Sequence, residues 1–288
     1  MREDFAVFIL THGRPNTQLT LNALRNSGYS GKIYLVIDDL DVTADVYLDN
    51  FRQNKYACTD VLVFNKMQYV QQTDTGLSEP LINFAVFARN AIEDFAVELG
   101  LSFFCMVDDD LTRFRFRYAQ DDSLKSQQIY ITMDEIITAH LDYMIEGNIS
   151  CVSFGSPNNY MRGTQCFTEL VDSDRTRLCC AIFFRNVRFK VNWFLNMCED
   201  RITSFWYNRE GQLWIQLLLV QLDWQELGGS SDGGNSEVYR SVDKFKQVCF
   251  PLLVFPDSNY VFSWKNKLMN GINSNTVCPK IISGGFKK

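Results

Sequence analysis

The chain has 288 residues, 46% hydrophobic and 22% charged, which is enough apolar material for a sizeable core and excludes a disordered polymer. A net charge of -6 argues against a generally basic nucleic-acid-coating protein, although a local positive groove is compatible with it. Nine cysteines occur with no Cys-x-x-Cys spacing, and several lie inside apolar runs, where thiols pack as small hydrophobes in a reducing compartment. The start, "MREDFAVFIL", reaches an apolar strand without a signal-like segment. No apolar run approaches the roughly 20 residues that cross a bilayer, so the expectation is a cytoplasmic protein without membrane partners.

In chain order, "FAVFILT" (5–11) reads as a first strand and "NTQLTLNALRNSGY" as a helix stopped by Gly28. "KIYLVID" (32–38) is a second strand, residues 45–54 a helix, "VLVF" (61–64) a strand, and "INFAVFARNAIEDFAVEL" a long helix ended by Gly100. "SFFCMV" (102–107) then leads into three aspartates. "RFRFRY" (113–118) alternates strictly, which puts Arg113, Arg115 and Arg117 on one face of a strand and three rings on the other. "ITMDEIITAHLDYMIEGN" carries a capping box in Thr132 and Glu135 and a stop near Gly147. Strands follow at 149–154 and 180–185, then an amphipathic helix at 211–222 and a glycine-rich loop at 228–237. Alternating strands and helices define an α/β sheet, read as one domain over 1–288 with a C-terminal elaboration.

Three polar strand ends fall on one sheet edge, the edge where open α/β sheets bind ligands: "THGRP" (11–15), "DDLD" (38–41) and "DDD" (108–110). Aspartates there suit a divalent cation bridging two nucleotide phosphates, since Mg²⁺ and Mn²⁺ take only one or two oxygens from protein. The same letters also fit a solvated loop, a helix cap or Asx turns, and the residues alone leave both readings open. Arg89, in "ARN" (88–90), reaches either a phosphate or a neighbouring carboxylate.

"FILTHGRPNTQLTLNAL…SGYSGKIYLVIDDLD", "FARNAIEDFAVELGLSFFCMVDDDL" and the final "CPKIISGGFKK" together resemble the glycosyltransferase family associated with TET and JBP pyrimidine oxygenases, which includes base J glucosyltransferase and phage relatives. The resemblance is strong over residues 5–118, weaker to about 210, and thin beyond except at the end. It implies a GT-A-like mixed sheet flanked by helices, with a nucleotide-sugar half (1–118) and an acceptor half (119–288). It further implies transfer from a UDP-sugar, with Mn²⁺ or Mg²⁺, to the hydroxymethyl group of 5-hydroxymethylcytosine or 5-hydroxymethyluracil in DNA, with inversion. By that likeness Asp110 is the direct metal ligand and Asp108 lies nearer the ribose and the metal's waters. His12, Arg14, Asp38, Asp39 and Asp41 border the uridine, and Arg89 approaches the donor. Many GT-A enzymes add a late histidine to the metal, yet this chain has only His12 and His140, the latter on the capped helix.

Inverting transfer needs a carboxylate base. "NMCEDRITSFW" (196–206) offers adjacent acids, of which Asp200 is chosen over Glu199 by likeness to GT-A enzymes. A helix cap with an exposed ion pair is the alternative. Asp109 is expected to point away from the metal and to matter less for binding. Arg113, Arg115, Arg117 and the basic end (Lys280, Lys287, Lys288) are candidate DNA-phosphate contacts. Two other functions fit the same chain: a glycosyltransferase with a glycan or protein acceptor, and a catalytically silent binder of modified DNA.

Overall fold

The computed structural model describes residues 1–76, 82, 84–117, 131–157, 179–224, 244–265 and 270–276. The glycine-rich stretch 228–237, the third ring of the alternating segment (Tyr118) and Lys280, Lys287 and Lys288 lie outside them.

The first half forms as its patterning requires. β1 (Phe5–Leu10), β2 (Lys32–Asp38), β3 (Asp60–Phe64) and β4 (Phe103–Asp108) are joined by α1 (Leu19–Asn26), α2 (Ala44–Arg52), α3 (Lys66–Gln72) and α4 (Ala85–Glu98). β1 pairs in parallel with β2 on one side and β4 on the other, and β2 pairs in parallel with β3. β1, β2 and β4 are buried on both faces, hence their near-continuous apolar runs, whereas the edge strand β3 leaves Val63 exposed. Gly28 and Gly100, with φ of +81° and +67°, follow α1 and α4 in the left-handed region that the turn out of a helix demands.

β5 (Leu111–Phe116) follows β4 after two residues but pairs elsewhere. α5 (Met133–Glu146), with the capping box at Thr132 and Glu135, precedes β6 (Cys151–Gly155), β7 (Ile182–Asn186), α6 (Glu199–Arg209) and β8 (Trp214–Trp224). The full sheet has eight strands in the order β3-β2-β1-β4-β7-β6-β8-β5 and is mixed. α7 (Lys244–Val254) and a separate two-stranded sheet of β9 (Asn259–Lys265) and β10 (Asn270–Thr276) follow. α3, α7 and the hairpin were not read from the sequence.

One element corrects the sequence reading. Residues 211–222 were expected to be an amphipathic helix, yet Trp214–Trp224 is a strand. Its first part pairs in parallel with β6 and its last part antiparallel with β5. Caught between two strands, "IQLLLVQL" is partly covered along its length, which blurs the period-2 signal and imitates a helical stripe.

Two cores flank the sheet. α3, α4, α6 and α7 cover one face, with Phe8, Phe104, Met106, Phe183 and Trp214 beneath them. α1, α2 and α5 cover the other, over Val7, Ile9, Cys105, Val107 and Phe184. Asp108 ends β4 on the α4 side, because side chains alternate along the strand. Among the described residues no helix is long and apolar enough to cross a membrane, and seven cysteines are free thiols.

Candidate active site

The chain winds from β1 through β2 to β3 on one side, then crosses back to lay β4 against the opposite flank of β1. The loops leaving β1 and β4 lie side by side at the carboxyl edge of the sheet, and the crevice outside that edge is the usual ligand site of such sheets. All the nucleotide-side candidates sit on this edge.

Aspartates grip the β1 loop residue by residue. Thr11 Oγ1 donates to Asp109 Oδ2 at 2.7 Å. His12 Nδ1 lies 2.8 Å from Asp38 Oδ2 and must donate, because a carboxylate only accepts. The Gly13 amide, in a residue at φ +70°, donates to Asp41 Oδ2 at 2.7 Å. Arg14 Nη1 donates to Asp109 Oδ1 at 2.6 Å, and its amide donates to Tyr47 Oη at 2.8 Å. Asp41 also accepts from the amide and hydroxyl of Thr43. Asp38 accepts from buried Lys66 Nζ at 3.2 Å, and Asp39 from the Lys66 amide at 2.9 Å. Burial pushes Asp38 up, but His12 and Lys66 outweigh it and hold the carboxyl below its ordinary value. The Asp38 hydrogen bond raises His12.

The end of β4 is pinned by Thr20, whose hydroxyl donates to Asp108 O at 2.6 Å and accepts the Leu111 amide at 2.9 Å. The three carboxylates then separate. Asp108, its side chain 33% exposed, accepts from Arg89 Nη2 at 3.0 Å. Asp109 is buried on Thr11 and Arg14. Asp110 has no side-chain hydrogen-bond partner among the described residues; burial, followed by the charges of Asp108 and Asp109, pushes it up to about 7. The charge of Arg14 and the Asp110 backbone amide pull the other way without cancelling the rise.

Across the crevice, α6 begins after Cys198, which takes the left-handed conformation at φ 55°. Glu199 is buried, with Oε1 3.3 Å from Arg89 Nε. Burial first, then Asp200 and Asp108, raise Glu199 to about 7 against the pull of Arg89. Asp200 is half-buried, accepts from the Arg201 amide at 2.7 Å, and is raised by burial. Arg89 is fully buried, with its guanidinium carbon 4.9 Å from the Phe183 ring centre and 5.3 Å from that of Trp193. It thus joins the β4 end to the α6 end. Beyond its burial, the thiol of Cys180 is raised by both Asp200 and Asp108.

The arginine segment alternates as expected, with Phe114 packed edge-on to Phe154. Its arginines meet β8: Arg115 bonds Asp223, Arg117 bonds Gln221, and Gln221 Nε2 donates to Asp223 Oδ1 at 2.8 Å. Arg113, 65% exposed, lies 3.4 Å from Asp223. His140, on α5, is buried against Phe154 and Phe184, with Nδ1 2.7 Å from Ile136 O.

The structure brings together Arg89, Asp108, Glu199 and Asp200, and separately His12, Arg14, Asp38, Asp41 and Asp109. Thr11, Thr20, Tyr47 and Lys66 were missed by sequence reasoning. Only Lys66 left a trace, as a lysine just past a strand end. No group of three or more His, Cys, Asp or Glu forms a ready metal cage among the described residues. Asp108 and Asp110 nevertheless fit Mg²⁺ or Mn²⁺: they are oxygen donors, two in number, with surplus charge at Asp110.

The chain belongs to the TET-associated glycosyltransferase family, whose sequence profile matches residues 5–223. A comparison with curated proteins returned no match. The family makes the chain a glycosyltransferase, with a sugar donor and an acceptor to accommodate, and the matched span holds both acidic ends of the cleft.

Proposed function

We propose that the protein moves a sugar from a UDP-sugar to the hydroxymethyl group of a modified pyrimidine in DNA, with inversion at the anomeric carbon. The observation that carries this reading is Arg89, which pairs with Asp108 at the end of β4 and with Glu199 at the start of α6 and so sets the two acidic ends beside each other. Asp108 and Asp110 would hold Mn²⁺ or Mg²⁺, which when bound supplies positive charge to the departing diphosphate. The loop 11–14 presents its backbone and Arg14 to the nucleotide, while Asp38, Asp39 and Asp41 act from behind it by holding the loop and Lys66. Arg89 keeps Asp108 turned toward the cleft. Asp200 accepts the proton of the acceptor hydroxyl, since a carboxylate raised by burial is a better base than an exposed one.

A hydroxymethyl group in duplex DNA lies in the major groove, so reaching a cleft of this kind calls for flipping the nucleotide at a cost of about a few kcal/mol. Arg113 is the best placed of the three arginines for backbone phosphate, because it is the most exposed and only loosely held. A glycan or protein acceptor is the second reading, favoured by the net charge of -6 and by the engagement of Arg115 and Arg117 with β8.

The test is incubation with Mn²⁺, a panel of UDP-sugars and duplexes carrying either modified base, followed by mass spectrometry of the nucleosides. A glycosylated nucleoside is expected with the wild-type chain and none with Asp110→Ala, whose Mn²⁺-dependent UDP binding is also lost. UDP release with a glycosylated glycan or protein and no modified nucleoside establishes the second reading.

A further inference from the structure

We propose that Asp109, the middle carboxylate of the β4 end, is a positioning residue that shapes the donor loop Thr11–Arg14 and does not ligate the metal. The proposal rests on the donor reading above for what the loop contacts, and the geometry of the clamp stands without it.

Asp109 is only 8% exposed, and each carboxylate oxygen has a partner from the loop: Oδ2 takes the Thr11 hydroxyl at 2.7 Å and Oδ1 takes Arg14 Nη1 at 2.6 Å. The register explains why. Leu10 is opposite Asp108 in the parallel pairing of β1 with β4, so the next residues, Thr11 and Asp109, meet where the two strands diverge. Thr11 has one proton and gives it to the carboxylate, so Tyr47 must be the donor across the 2.9 Å contact between their hydroxyls. Tyr47 Oη is left to accept the Arg14 amide at 2.8 Å. Asp109, Thr11, Tyr47 and Arg14 therefore close one network from β4, β1 and α2, in which the Thr11 and Tyr47 hydroxyls, the Arg14 amide and Arg14 Nη1 each find an acceptor.

In Asp109→Asn one carboxylate oxygen becomes an NH₂ group, so Thr11 and Arg14 Nη1 are left one uncharged acceptor between them, and the turn through Gly13 rests on Asp41, Asp38 and Tyr47. A nucleotide would then have to order the loop as it binds, and affinity falls although no direct contact is removed. A metal ligand would behave differently, since its loss removes the gain in affinity that the cation confers.

The experiment measures UDP affinity in EDTA and in Mn²⁺, together with amide hydrogen exchange of residues 11–15 without nucleotide, for wild type, Asp109→Asn and Asp110→Asn. Asp109→Asn is expected to weaken UDP by about tenfold in both buffers, leaving the Mn²⁺ gain intact. It also speeds exchange of the Arg14 amide. Asp110→Asn removes the Mn²⁺ gain and leaves loop exchange unchanged. Should Asp109→Asn fold poorly, Thr11→Val takes its place and must loosen the same amide. Loss of the Mn²⁺ gain in Asp109→Asn, or loop exchange at the wild-type rate, overturns the assignment. Failure of the wild-type chain to bind UDP overturns the donor reading instead, and loop exchange then decides the clamp.

Discussion

At the end of β4, Asp109 is committed to Thr11 and Arg14, whereas Asp110, one residue on, has no side-chain hydrogen-bond partner among the described residues. At the start of α6, Glu199 is held by Arg89, whereas Asp200 accepts the neighbouring Arg201 amide. Both acidic ends thus divide into a tied carboxylate and a loose one, and Arg89 spans them by pairing with Asp108 and Glu199. They differ in what does the tying. Asp109 holds a loop in place, whereas Glu199 shares a buried arginine with the opposite end of the cleft, so its charge is coupled to the site and Asp109's is coupled to shape. Asp108 lies between these cases, tied to Arg89 yet with its side chain 33% exposed.

The largest expected effect separates the two acids of α6. Asp200→Asn preserves size but cannot accept the hydroxyl proton, and should lower the transfer rate by roughly 10²–10⁴-fold with UDP affinity nearly unchanged. Glu199→Gln keeps an acceptor for Arg89 and should cost far less. Single-turnover rates check both, and the reverse ranking would make the tied residue the base.

A smaller effect compares the arginines of β5 by the same criterion. Arg113, exposed and loosely placed, should touch DNA phosphate, so Arg113→Ala flattens the salt dependence of DNA binding by about one counterion. Arg115, bonded to Asp223, should leave the slope unaltered when replaced. Binding to modified duplex across a salt series measures both, and equal slopes for wild type and Arg113→Ala would remove that residue from the DNA surface.

Much of this was legible in the sequence. β1, β2 and β4 are announced by apolar runs bounded by turn residues, and the capping box at Thr132 fixes the start of α5. The β4 end and the acid pair of α6 were visible as clustered charge beside apolar runs. Which carboxylate faces a ligand was not visible. Asp38 and Asp41 look like uridine neighbours in "DDLD", yet they hold His12 and the Gly13 amide, contacts made across 26 and 28 residues that no local spacing encodes. Asp109 likewise finds partners 98 and 95 residues away. β8 was misread because its cover comes from two strands at once, so its exposure does not alternate cleanly.

The smallest effect concerns the charge of the tied acid. Burial, Asp200 and Asp108 raise Glu199 from its ordinary 4.5 to about 7 despite Arg89. The folded chain therefore keeps this proton to about 7, while the unfolded chain releases it near 4.5. Between those values the folded state binds more protons, so the contribution of this group to stability is fully present below pH 4.5 and declines as pH rises to about 7. Glu199→Gln cannot titrate and retains an acceptor for Arg89 Nε, so its melting temperature should gain on that of the wild type across this interval, by a few degrees, and the gain should level off above it. Melting curves taken in EDTA from pH 4 to 8.5 measure the difference directly. Two parallel profiles would mean that Glu199 stays ionised on Arg89 throughout. The tie at α6 would then be a plain ion pair, insulated from the charge of Asp108 and Asp200, and no longer a sensor of how much negative charge the cleft carries.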